Sequence, residues 1–197
     1  MELKQRLASY RGQSLVEFAL IMPFILLVAF GVIEVSYALL DQHVATKLTR
    51  EGSNLISRDV SINDAVNALR NMSTRPVDFN SGRSRIIFTV LRRGTTPGTP
   101  NYNNVIAYQR YAFGGLTGVQ SALPTAGSGA YNGSPDYQAV NADSDTRLQI
   151  STLPGNLTIA LNGSLYVTEI FTRHDLITPL SGFGVTVPST LYSIAYF

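Results

Sequence analysis

The sequence predicts an α+β protein: a long N-terminal transmembrane helix continuing into an exported domain, in which a single antiparallel β-sheet of about four strands packs on helix. Three observations carry this expectation. Residues 15–40 form an apolar run in which Glu17 and Glu34 are the only charges. An amphipathic stretch follows it directly. Beyond residue 84, four separate runs are rich in β-branched and aromatic residues and are divided by turn-forming sequence.

The elements follow in chain order. At about 1.5 Å rise per residue, the apolar run is long enough for a hydrocarbon core of about 30 Å. Pro23 lacks a backbone donor and is expected to kink or loosen this helix, which a membrane segment tolerates. Leu40, Val44 and Leu48 then recur at four-residue steps with Asp41, Lys47 and Arg50 between them, so the helix continues as an amphipathic one and fades between Gly52 and Arg58. Ser61, with Asp64 three places on, caps a second short helix over 62–72. The strand runs are Arg85–Leu91, Val105–Phe113, Leu165–Thr172 and Thr190–Phe197. Residues 114–145 are dominated by glycine, serine, proline and alanine and are expected to form a long ordered loop or a flexible insertion. The organisation expected is therefore a leader over 1–12, the transmembrane and amphipathic helix over 13–58, and an exported α+β head over 59–197 that carries the loop-rich insert 114–145.

Charge is distributed unevenly. The first twelve residues hold Lys4, Arg6 and Arg11 against Glu2, and the rest of the chain holds 12 basic and 12 acidic residues. The basic balance belongs to the N-terminus and does not argue for nucleic-acid binding by the remainder. Basic residues before an apolar helix place that end in the cytoplasm. There is no cysteine, which excludes a disulfide framework, a thiolate metal site and a cysteine nucleophile.

Gly12 is followed at the fifth place by Glu17, inside the start of the apolar run. A carboxylate there is costly and needs a reason. A type IV prepilin signal supplies one: cleavage between Gly12 and Gln13 exposes a new amino group, and Glu17 neutralises the amino terminus of a neighbouring subunit and sets its axial register. Two other readings compete. A cleavable secretory signal wants a shorter apolar stretch and a small-x-small site. A plain one-pass anchor leaves the glycine–glutamate spacing unexplained, with Glu17 snorkelling to the interface. Glu34, late in the helix, either meets a partner helix or marks the outer interface.

The segment GQSLVEFALIMPFILLVAFGVIEVSYALL resembles the N-terminal region of the TadE-like proteins, minor pilins or pseudopilins of the tight adherence (Tad, or Flp) pilus system. The shared features are Gly12, Val16-Glu17-Phe18-Ala19, Pro23, Phe30-Gly31 and Glu34. More loosely, residues 164–180 and the terminal LYSIAYF resemble the family's closing region. The resemblance implies a bacterial inner-membrane protein, single-pass, with its N-terminus cytoplasmic and its C-terminal domain periplasmic. The implied partners are a prepilin peptidase, other pilin and minor pilin subunits and the pilus assembly machinery; Glu17, Glu34 and Pro23 are the implied assembly residues. The larger TadG-like relatives carry an Asp-x-Ser-x-Ser metal motif in a von Willebrand-type domain, and this sequence has no such motif.

Enzymatic chemistry finds little support. His43 and His174 are the only histidines, and the His174–Asp175 neighbours lack a spaced nucleophile. Asp136, Asn141, Asp143 and Asp145 offer oxygen donors without the spacing of a calcium loop. Arg83, Arg85, Arg92 and Arg93 bracket the first strand, with Tyr102, Tyr108 and Tyr111 nearby; basic plus aromatic residues suit nucleic acid or an anionic surface, while arginines alternating with apolar residues suit an edge guarded against strand pairing. No catalysis, cofactor or nucleic-acid partner is expected. The alternative to a pilin is a one-pass membrane-anchored extracytoplasmic ligand-binding or envelope protein that is not polymerised.

Overall fold

A computed structural model of the chain describes residues 2–184 and 189–197, with side chains from Gln13 onward except Asn156, Ser181 and Phe183. The elements are α1 (Glu2–Ser57), α2 (Ile62–Met72), β1 (Ser84–Arg93), β2 (Val105–Phe113), β3 (Ser164–Arg173) and β4 (Thr190–Tyr196). The expected second helix and all four strands are present, each within two residues of its expected bounds. Two compact units result. One comprises Met1–Leu40 and Asp175–Pro188, the other Asp41–His174 and Ser189–Phe197.

In the second unit the strands form one antiparallel sheet in the order β2-β1-β3-β4. Its first face is covered by the amphipathic end of α1 and by α2. Ala45, Leu48 and Ile56 from α1 and Ile62, Ala65, Val66 and Leu69 from α2 meet Ile86, Phe88, Val90 and Ile170 of the sheet. The spacing of each helical set puts it on one face. Ser61 starts α2 as read from the sequence: its Oγ accepts from the Asp64 N–H at 3.1 Å and donates to the Asp64 carboxylate at 2.8 Å.

Helix α1 ends at Ser57, inside the stretch where the sequence suggested fading, and Gly52 lies where the sheet approaches the helix closely. A Cβ at this position would sit 2.8 Å from Thr168 Cγ2 and 3.0 Å from Leu69 Cδ1. Glycine costs a helix interior about 1 kcal/mol relative to alanine, and burial of the facing core offsets that cost.

The second face of the sheet is also buried, which strand alternation alone does not reveal. The 114–145 insert and the segment up to residue 160 cover it without forming a long helix or strand. Leu123, Ile150 and Ile159 pack on Leu91, Ala107 and Val167. Leu116 packs on Ile87 and Phe171. Short bridges pair Gln109 with Gln138 and Ile106 with Gln149, so the outer edge of β2 is closed by the same segment. Glu169 fastens this layer. It is fully buried on the insert side of β3, and its carboxylate accepts from Ser121 Oγ, from the Ala122 N–H at 2.7 Å and from the Tyr192 hydroxyl at 2.9 Å. Burial first, and then the Glu169 charge, hold the Tyr192 phenol protonated far above its ordinary range.

Valine at position 52 would need space that Thr168 and Leu69 occupy. Gly52→Val is expected to lower unfolding stability by about 2 kcal/mol, the usual scale of overpacking, measured by chemical denaturation in detergent.

Candidate functional site

The first unit shows what the N-terminal half of α1 offers. Its most apolar 18-residue window has a mean hydropathy of 2.5, and none of it is buried within the chain. Leu15, Leu20 and Phe24 are 66–73% exposed. Residues 13–40 span about 40 Å as a helix, so α1 is long and apolar enough to cross a membrane. An apolar surface of this size in water marks a membrane or partner contact.

Glu17 lies on this exposed surface and accepts a hydrogen bond from Gln13 Nε2 at 3.0 Å, one helical turn earlier. The backbone is helical at Gly12 and Gln13. The side chains of Lys4, Arg6 and Arg11 lie outside the described ones. Helix α1 passes through Pro23 without interruption, although proline removes the donor that the Ala19 carbonyl would otherwise receive. Phe18, Met22, Pro23, Leu26, Leu27 and Phe30 shape a shallow apolar hollow around it.

Glu34 differs from everything around it. It is 2% exposed on a helix whose neighbours are bare. The cover comes from the segment that follows β3. Both carboxylate oxygens accept from the Ile177 N–H at 3.2 Å, and Oε2 also accepts from the Thr178 N–H at 3.0 Å and the Thr178 hydroxyl at 2.8 Å. Leu180, 3% exposed, closes the packing of the same segment. A carboxylate that receives several donors can be kept in an apolar setting. Neither of the roles weighed for Glu34 from sequence included a bond inside its own chain.

The two histidines have different surroundings. His43 is exposed on α1. His174 has a side chain only 1% exposed, and its Nδ1 lies 2.7 Å from Asp41 Oδ2 on α1. Its neighbour in sequence, Asp175, is not the carboxylate that Nδ1 meets; His174 makes a buried contact between the end of β3 and the helix.

The oxygen donors of the insert are used locally. Asp143 accepts from Thr96 Oγ1 at 3.1 Å, while Asp145 holds Arg147 through two bonds of 2.8 and 2.9 Å. The Arg147 side chain, by its hydrogen bonds above all, keeps the Asp145 carboxyl below its ordinary range. No group of three or more His, Asp or Glu side chains among the described residues is placed to hold a metal ion. Of the arginines around β1, Arg92 stacks on Tyr108 and donates to Ser164 Oγ at 3.0 Å.

Glu34, Asp41, Glu169 and His174 owe their surroundings to residues 23 to 144 positions away, so only their rarity in apolar sequence could have flagged them. Each hydrogen bond to a charged group contributes about 1.5–3 kcal/mol. Glu34→Ala is therefore expected to accelerate amide hydrogen exchange at Ile177 and Thr178 at least about tenfold, while the amides of β1 exchange as before.

Comparison with known proteins adds one match. Residues 12–54 fit the family model described as TadE-like protein. No match emerged from searches of the curated proteins and the solved structures. The matched segment contains Glu17, Pro23, Glu34 and Gly52, so it spans both the bare apolar helix and part of the stripe that covers the sheet. Over residues 12–54 the chain is similar to the TadE-like proteins, in keeping with the resemblance of its opening segment.

Proposed function

We propose that this chain is a minor pilin, or pseudopilin, of a Tad-type adhesive pilus, anchored by one membrane helix and processed between Gly12 and Gln13. The observation that carries the reading is the TadE-like match over a segment with Glu17 exposed at the start of an unburied apolar helix. Such a surface is suited to lateral packing against other subunits in the membrane. The basic leader orients the N-terminus to the cytoplasm, where a prepilin peptidase would act, and the head then lies in the periplasm of a bacterial cell. The chain catalyses no reaction in this account.

Cleavage frees the Gln13 amino group. The Glu17 carboxylate pairs with the amino group of an incoming subunit, and the cost of an unpaired charge among apolar helices favours the aligned register. Glu34 has a different task. It ties the 175–180 segment to the helix within one subunit, which leaves Glu17 as the carboxylate available to a neighbour.

Mass spectrometry of the purified protein tests the processing step. The expected mature chain begins at Gln13, and Gly12→Ala retains the leader. Glu17→Ala is expected to insert into membranes at normal levels and to be lost from sheared pilus fractions. An intact leader in functional protein, or unchanged incorporation of Glu17→Ala, would favour a simple unpolymerised anchor.

A further inference from the structure

A second site lies in the sheet unit. At the end of β1, a cavity of about 320 Å³ is lined by Arg92, Arg93, Tyr108, Asp143, Asn162 and Ser164, among others. Its geometry begins with an irregularity in the sheet. Val90 pairs with Gln109 and Leu91 with Ala107, so Tyr108 is the extra residue of a β-bulge. Bulges re-aim side chains, and this one turns the Tyr108 ring beneath Arg92. The guanidinium carbon stands 4.1 Å from the ring centroid. Ser164 Oγ takes the Arg92 Nε–H at 3.0 Å. Stack and hydrogen bond together fix the plane of the guanidinium and leave its two terminal nitrogens without a partner among the described residues.

Arg93 adds a second cation. Its Nε is buried and finds no hydrogen-bond partner among the described residues, an arrangement that costs stability unless a ligand supplies an acceptor. Two arginines in one cavity call for an anion, and a fixed guanidinium suits the planar fork of a carboxylate.

The rest of the lining narrows the class. Asp143 brings a carboxylate, which accepts hydrogen bonds from hydroxyl groups and repels a doubly charged phosphate or sulfate more strongly than a singly charged carboxylate. Asn162, held in the left-handed conformation at φ 65°, brings both a donor and an acceptor. The cavity thus combines a carboxylate reader with hydroxyl readers, in a volume that fits one sugar ring. We propose that it binds a uronic-acid residue of an acidic glycan. This assignment does not depend on the pilin reading, since a monomeric anchor would present the same site.

Isothermal titration of the full chain in nanodiscs tests the proposal, with glucuronate as probe and glucose and inorganic phosphate as comparators. Saturable glucuronate binding is expected, with glucose and phosphate at least about tenfold weaker. Loss of one charged hydrogen-bonding partner in Arg93→Gln is expected to weaken glucuronate binding at least about tenfold, at a melting temperature no lower than that of the unmodified chain. Arg92→Gln serves as a second variant with the same expected loss. Absence of glucuronate binding to the unmodified chain, equal binding of phosphate or glucose, or full affinity in folded Arg93→Gln would overturn the assignment.

Discussion

Everything in the sheet unit depends on one contact: the stripe of α1 carrying Ala45, Leu48, Gly52 and Ile56 against the face of β1 and β3. Four antiparallel strands have an apolar face that water would not tolerate, and the helix supplies its cover. The contact is tight because Gly52 brings backbone within reach of Thr168. The same helix, apart from the covered Glu34, is largely exposed and mostly apolar from Leu15 to Leu40. One element therefore meets two different environments, and the change falls where Asp41, Gln42 and His43 introduce polar side chains into the sequence.

Carboxylates, with Glu34 and Glu169 buried and Asp41 partly so, are the means by which distant segments are fastened. Glu34 gathers the backbone of Ile177 and Thr178 to the apolar helix. Glu169 gathers Ser121, Ala122 and Tyr192 to β3. Asp41 meets His174 at the end of β3. In each case a charge that would be costly alone is supplied with donors, so the irregular segments are fixed at specific points on regular ones. Irregular chain can thus serve as the second layer over a sheet: its backbone groups need partners, and edge bridges, capped turns and these carboxylates supply them.

The elements were legible because their signals are local. Val, Ile, Phe and Tyr runs bounded by Gly, Pro and Asn placed the strands, and Ser61 with Asp64 placed the start of α2 to the residue. The apolar run and the Gly12–Glu17 spacing were legible for the same reason, and the TadE-like match covers that segment. The partners of Glu34, Glu169 and His174 were not legible, because they lie across the fold. Nor was the role of the 114–145 insert, whose composition suggests a passive loop while Leu116 and Leu123 are core residues. The bulge at Tyr108 is not legible either, since a single extra residue in a β-rich run leaves no compositional trace.

The central claim is that residues 13–40 are solvated by lipid while the helix beyond them is not. The chain contains no cysteine, so single cysteines report cleanly on their surroundings. In open membrane fragments accessible from both sides, Val28→Cys is expected to resist a water-soluble maleimide and His43→Cys to react with it. Equal labelling at both positions would place the apolar half of α1 in water and contradict the account.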